Sequence, residues 1–396
     1  MDVNVSKIGR LAVGAAVETV AGILCKYPGL DAEYQIKRRV SGPWPKNGPY
    51  LWLHGASLGE CRMLQGLARA LKEDLPNCPP LLITTQKAEA VSFLRDSCEG
   101  VAEVSIAPAD IPSALESFVG ATEPLGLILA ENELWPGYLS TLSRISTRKN
   151  IALVSGRYRR SFPLLFFSGM GFACMQTFCD LGRFTRASKG RVPSMLGGDW
   201  KLLDWARKGG AVAAQGSPTV DVAFLSFHQE EQDAFLSMAK ACVQKGLSVI
   251  LVPRRLSETV NFRSCLKEAG LPVVDYPSVQ NGAVSLVSRF GAVREILGMS
   301  RAAVVGGSFS CKLGVHDFWE PLTLGVETYV GPFARGHEDF VSLLCQEKAV
   351  TQVRSAEDFL NCARPSLERA EALLAAEKKK ILNSYSMLLK FLKELL

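Results

Sequence analysis

Three acids stand where a proton could be taken from a substrate. Glu60 closes the turn Gly55-Ala56-Ser57-Leu58-Gly59-Glu60, which follows the short apolar run Tyr50–His54. Glu131 and Glu133 alternate after the apolar run Leu125–Ala130 and just ahead of Trp135-Pro136. A carboxylate at a strand end can take a proton from an acceptor hydroxyl. Glu60 can equally be a first-turn glutamate favoured by the helix dipole, and an N-cap role is open to Glu131 or Glu133. Cations occupy comparable places: Arg157, with Arg159-Arg160, after Ile151–Val154, and Arg254-Arg255 after Leu251-Val252-Pro253. A guanidinium there can hold a carboxylate or a phosphate bidentately. Cations at strand ends in both halves of the chain call for an anionic ligand in each.

A second set of candidates lies between Ala303 and Pro332. An apolar strand, Ala302–Val305, runs into Gly306-Gly307-Ser308, and a His-Asp-Phe-Trp-Glu-Pro segment then starts a helix. Glycines between a strand and a helix N-terminus present free N–H groups and a positive dipole end, which suits a phosphate. His316 and Glu320 at i, i+4 share one face of that helix. The plainer alternative is an ordinary turn with both residues on a solvated face.

The bulk numbers narrow the class. At 396 residues the chain is too long for one core, so two domains are expected. An apolar fraction of 47% with 21% charged is globular. The net charge of +6 fits an anionic substrate or membrane surface and is too weak to argue nucleic acid without a basic stripe. Eleven cysteines without a C-x-x-C pair read as reduced thiols rather than a disulfide framework or zinc site. The four histidines are too dispersed to suggest a metal by spacing. No signal peptide is read, because Leu11–Leu24 is broken by Glu18 and lacks a cleavage site. That stretch, flanked by Lys7, Arg10 and Lys26, is either an interfacial helix or one packed on the first domain.

These residues must be positioned by alternating elements. Strands are expected at Tyr50–His54, Leu81–Thr84, Ala102–Ile106, Leu125–Ala130 and Ile151–Val154, with helices between them, which implies βαβ units and a parallel sheet. The apolar stretch Ser161–Cys174 reads as a buried helix or an interfacial patch, too short to span a bilayer. A glycine- and alanine-rich composition marks a linker, and a second series follows. Its strands are Val222–Leu225, Ser248–Val252, Val273–Asp275, Ala283–Val287, Ala302–Val305, Thr328–Val330 and Ala349–Val353, and Ala356–Leu396 closes the chain as helix. The resulting division is a helical, possible membrane-contact segment at 1–40, an N-terminal domain at 41–204, a linker at 205–221 and a C-terminal domain at 222–396, which the resemblance described next makes the acceptor and donor sides. The fold class is α/β and GT-B-like: two doubly wound, Rossmann-like domains facing a cleft, with helical N- and C-terminal segments. Neither domain opens with Gly-x-Gly-x-x-Gly, which disfavours a dinucleotide oxidoreductase.

In this order the motifs resemble the 3-deoxy-D-manno-octulosonic acid (Kdo) transferases, which attach Kdo from CMP-Kdo to lipid A precursors. The matching stretches are Leu53–Glu60, Glu131–Pro136, Ser155-Gly156-Arg157 with Ser161, and Gly198-Asp199-Trp200-Lys201. Leu251–Arg254 follows, and then Gly306-Gly307-Ser308, Gly314, His316, Glu320, Gly325 and Gly331-Pro332. The resemblance implies an inverting, metal-independent transfer with no cofactor beyond the donor substrate. It makes Glu60 the general base. Ser57, Glu131, Glu133, Arg157 and Lys201 would shape the acceptor side. Arg254, Gly306, Gly307, Ser308, His316 and Glu320 would hold the cytidylate. It further implies a nucleotide sugar and a glycolipid as partners, at the cytoplasmic face of the inner membrane, with the N-terminal helix and Ser161–Cys174 as membrane-contact candidates. The chain departs from the family pattern at Thr84–Glu89, Arg255, Val287–Ala292 and Val315–Glu320, changes that crowd the donor pocket. Two alternatives stay open: another nucleotide sugar as donor, or a catalytically silent glycolipid-binding paralogue.

Overall fold

The computed structural model describes residues 34–159, 167–212 and 217–396. The chain divides into two compact units, Met1–Gly209 with Glu377–Leu396, and Gly210–Ala376. Each is built on a parallel sheet.

In the first unit the strands are β1 (Leu51–His54), β2 (Leu81–Thr85), β3 (Glu103–Ile106), β4 (Gly126–Ala130), β5 (Ile151–Gly156), β6 (Met170–Met175) and β7 (Ser194–Leu196). Their spatial order is β3-β2-β1-β4-β5-β6-β7, so the order reverses between β1 and β4. Every residue of β1, β2, β4 and β5 is buried. A parallel sheet covered on both faces demands such continuous apolar runs, which is why they stand out in the sequence. The Ser161–Cys174 stretch is corrected in part: Met170–Met175 is a strand beside β5, and 161–166 lie outside the described residues. Most of the expected N-terminal helix also lies outside them. Ile36–Ser41 (α1) is helical.

The second unit repeats the plan with β8 (Val220–Phe227), β9 (Val249–Pro253), β10 (Val273–Asp275), β11 (Val284–Leu286), β12 (Ser300–Val305), β13 (Glu327–Val330) and β14 (Val350–Gln352). The order is β10-β11-β9-β8-β12-β13-β14, with its reversal between β8 and β12. Open α/β sheets bind ligands beyond the strand ends at such reversals. The sequence candidates therefore fall beyond β1 and β4 in one unit and near β12 in the other.

Four further helices matter below: α2 (Leu58–Asp74), α3 (Pro136–Ile145), α4 (Trp319–Thr323) and α5 (Leu367–Leu395). Among the described residues no helix is long and apolar enough to cross a membrane.

Two domain boundaries move. The expected donor domain ran to residue 396, yet α5 from Glu377 onward belongs to the first unit. The cause is its stripe of buried residues, Glu377, Ile381, Ser384, Tyr385, Leu388 and Leu392, at helical spacing. Glu377 Oε1 accepts the Asp199 N–H at 2.8 Å, Trp200 Nε1 donates to Ser384 Oγ at 3.1 Å, and Phe391 stacks on Phe172. The expected linker at 205–221 also narrows, because Leu203–Arg207 is helical and Val220 already opens β8. Leu388 is fully buried, so Leu388→Ala should cost about 2–5 kcal/mol in denaturant unfolding of the first unit. An unchanged midpoint would contradict this docking of α5.

Candidate active site

In the first unit, β1 delivers the chain into the turn that starts α2. Ser57 is the N-cap and Glu60 the N3 residue of a capping box. The Ser57 N–H donates to Glu60 Oε2 at 2.6 Å, and the Glu60 N–H donates to Ser57 Oγ at 3.3 Å. The helix-start reading of Glu60 is therefore realised in the geometry. Gly55 makes it possible, since a Cβ there would lie 2.9 Å from the Glu60 Cβ.

Glu60 is nonetheless unlike a surface capping glutamate. Burial, then the charges of Glu131 and Glu133, push its carboxyl up to about 8, against the pull of the Ser57 hydrogen bonds. Glu131 sits at the end of β4 in the left-handed backbone region, with φ of 46°. Burial alone would raise its pKa. Lys201 and Arg157 outweigh that and hold the carboxyl below its ordinary value. Arg157 Nη1 donates to Glu131 Oε2 at 2.8 Å, and Lys201 Nζ is 3.2 Å from Oε1.

Both cations are themselves held. The Arg157 N–H donates to the Glu131 carbonyl at 3.0 Å. Asp199 Oδ1 accepts the Lys201 N–H at 3.1 Å, and Ser155 Oγ accepts the Trp200 N–H at 3.0 Å. Arg157 thus grips a carboxylate of its own protein. Arg159 is exposed, and Arg160 lies outside the described residues.

Glu133 accepts the Trp135 indole N–H at 2.6 Å and lies 3.4 Å from Nε2 of His54. His54 is fully buried, and its Nδ1 is 2.9 Å from Thr84 Oγ1. It was not among the sequence candidates, although it ends β1 directly before the glycine turn. Neither Glu131 nor Glu133 caps α3: that end is served by Asp110, whose carboxylate accepts the Gly137 and Tyr138 N–H groups at 3.2 and 3.0 Å. Ser57 with Glu60, and Glu131 with Arg157 and Lys201, thus form two bonded groups, with Glu131 and Glu133 acting on Glu60 through charge.

The second unit departs from expectation. A long loop separates β12 from the five-residue helix α4, so the glycine turn does not feed a helix N-terminus. Nor are the N–H groups of its two glycines free. Glu231, 2% exposed, accepts those of Gly307 at 2.8 Å, Phe309 at 2.9 Å and His228 at 3.1 Å. The Gly306 N–H donates to the Leu225 carbonyl. Ser308 is fully buried and structural, since its Oγ accepts the Gly331 N–H at 2.7 Å. A carboxylate from the neighbouring turn fills the place expected for a phosphate.

His316 and Glu320 do not share a helix face either. Asp317 Oδ1 accepts the Trp319 and Glu320 N–H groups, which starts the helix after His316. His316 instead stacks on His228, with the two Nε2 atoms 2.8 Å apart. Burial, then Arg254 and His228, lower its pKa to about 3, so it stays neutral. Arg254 and Arg255 are exposed beyond β9, and Arg254 acts on both rings through its charge. His228 and Glu231 were missed in the sequence, where nothing links them to residues some eighty positions away.

Residues 33–166 match a family described as 3-deoxy-D-manno-octulosonic-acid transferase (kdotransferase). Over 333 residues the chain is 25% identical to the 3-deoxy-D-manno-octulosonic acid transferase of Aquifex aeolicus, covering 83% of this chain and 89% of that one. Over 332 residues it is 24% identical to the enzyme so named from Chlamydia pneumoniae, covering 76% and 73%. Among solved structures it is similar to the UDP-GlcNAc 2-epimerase of Neisseria meningitidis, with a TM-score of 0.56, 12% identity, and 87% and 99% of the two chains covered. A glycosyltransferase from Rickettsia africae gives a TM-score of 0.50 at 11% identity over 88% and 97%. At these identities the two structures establish the fold alone, an α/β architecture of GT-B type.

Replacing Glu231 by Ala orphans the Gly307 and His228 N–H groups, at about 1–3 kcal/mol for each buried donor, and removes the acceptor of the part-buried Phe309 N–H. Denaturant unfolding of the second unit should show that loss. Unchanged stability would mean that the turn does not depend on this carboxylate.

Proposed function

The chain is a divergent relative of the Kdo transferases and a glycosyltransferase, and on that premise we propose that it moves Kdo from CMP-Kdo to a lipid A precursor. The transfer inverts the anomeric carbon and uses no metal in the transfer step. The observation that carries the assignment of the base is the Glu60 carboxyl, buried beside Glu131 and Glu133 and raised to about 8. A base with its pKa near the working pH combines a useful ionised fraction with real proton affinity.

In the step itself Glu60 takes the proton of the acceptor hydroxyl. The hydroxyl oxygen bonds to the anomeric carbon as the bond from that carbon to the phosphate oxygen breaks, and CMP leaves with the electron pair. Lys201 and Arg157 keep Glu131 ionised, and its fixed negative charge holds the Glu60 pKa up. Ser57 fixes one carboxylate oxygen of Glu60. On the donor side Arg254, His316 and Glu320 contact the cytidylate, while Gly306, Gly307 and Ser308 shape the loop that carries His316. The work takes place at the cytoplasmic face of the inner membrane, with the protein bound peripherally, because the acceptor is a lipid.

One observation favours a second reading, transfer from another nucleotide sugar: the glycine turn is closed by Glu231. Thermal melts with CMP, UDP and GDP separate the two. Stabilisation by CMP supports the Kdo donor, and stabilisation by UDP or GDP alone rejects it.

Glu60→Gln is the sharper test, because Gln at N3 preserves a capping box and removes only the proton acceptor. Transfer should fall by about 10²–10⁴-fold with the fold retained. In the wild type kcat/KM should rise with pH through about 8, where the carboxylate forms. The stability that this raised pKa contributes is complete below the ordinary carboxylate range and lost as pH rises through about 8, a dependence absent from the variant. Wild-type turnover by Glu60→Gln would remove Glu60 from the reaction.

A further inference from the structure

The second unit gathers a set of ligand atoms that the proposed reaction does not use. Among the described residues, His228, Glu230 and Glu258 each place one ligand atom so that all lie within 4.8 Å of one another. They come from two adjacent strand ends. His228 and Glu230 belong to the turn after β8, and Glu258 ends the helical turn Leu256–Glu258 beyond β9.

Two of these groups are buried in an unsatisfied state. His228 and Glu258 are each only 7% exposed, and His228 Nδ1 and Glu258 Oε2 have no hydrogen-bond partner. Buried polar atoms in native proteins are nearly always paired, so two orphans on residues of one such cluster call for a ligand. The far side of the imidazole is already arranged for one. His228 Nε2 lies 2.8 Å from His316 Nε2, so one ring donates to the other. With His228 as the donor, its Nδ1 carries a free lone pair. A metal-binding histidine is normally oriented in this way, its second ring N–H given to an acceptor.

The surroundings are also preorganised. Asn261 Nδ2 donates to Gln229 Oε1 at 2.9 Å, tying the turn after β8 to the helix that follows Glu258. Arg255 opposes a cation: its Nη1 is 3.6 Å from Glu258 Oε1. That side chain is 66% exposed, so it can swing into water when the carboxylate is claimed. Glu230 is exposed and supplies the third ligand from the solvent side.

We propose that His228, Glu230 and Glu258 bind a divalent transition-metal ion of the zinc class, pinning the turn after β8 to the turn after β9. One imidazole nitrogen and two carboxylates suit zinc and its first-row neighbours, whereas calcium and magnesium prefer all-oxygen shells. Three protein ligands leave a position for water. The ion orders the two turns that carry His228 and Arg254-Arg255. It takes no part in the transfer chemistry assigned to Glu60 in the other unit.

The test uses the full chain stripped of metal by a chelator and titrated with Co²⁺ in the absence of any nucleotide or acceptor. The expected result is saturation at one equivalent, visible ligand-field bands without thiolate-to-cobalt charge transfer, and displacement by Zn²⁺. The absence of the charge-transfer band separates this site from the eleven cysteines. His228→Asn and Glu258→Gln, each checked for folding by thermal melting, should weaken binding at least about tenfold. No binding by the wild type, a charge-transfer band reporting cysteine ligation, or undiminished affinity in both folded variants would overturn the proposal. Because no substrate is present, none of these outcomes bears on the Kdo transfer reading.

Discussion

Three buried carboxyl groups share the strand ends around β1 and β4, and like charges that close cannot all ionise without cations to offset them. The first unit resolves the conflict unequally. Glu131 receives both Arg157 and Lys201 and remains charged, while Glu60 receives only hydrogen bonds from its own helix start and is left proton-hungry. The chemistry proposed for Glu60 follows from that asymmetry. So does much of the local architecture, because Lys201 must be held in place for it to persist.

The support for Lys201 reaches far along the sequence. Glu377 on α5 fixes Asp199, Asp199 fixes the Lys201 backbone, and Ser155 fixes Trp200 between them. This explains why the end of a helix that begins in the second unit is bound to the first. In the second unit Glu231 plays a comparable organising part, gathering three N–H groups from the turns after β8 and β12. The corresponding reversal points of the two sheets are both organised by buried glutamates, one with its carboxyl pKa raised and the other committed to holding a loop.

Most strands could be read from the sequence, because a sheet buried on both faces turns each strand into a short apolar run between turn residues. Met170–Met175 was obscured within a longer apolar stretch, where periodicity cannot separate strand from helix, and Ser194–Leu196 is too short to signal itself. Glu60, Glu131, Arg157 and Lys201 could be found because strand ends and motif order marked them. Contacts made by topology alone were not visible. His228 and His316 stand 88 residues apart, and only the adjacency of β8 and β12 brings them together. The helix expected to carry His316 failed for a local reason, since Asp317 starts it two residues later.

The proton affinity of Glu60 is the quantity on which the functional account turns, and it can be measured without any substrate. Infrared difference spectra of the wild type against Glu60→Gln, taken across a pH titration, isolate this one carboxyl group. A protonated-carboxyl band that persists at neutral pH and titrates away near about 8 is the expected result. A Glu60 that ionises in the ordinary carboxylate range would contradict the account, leaving it a capping residue and moving the base elsewhere.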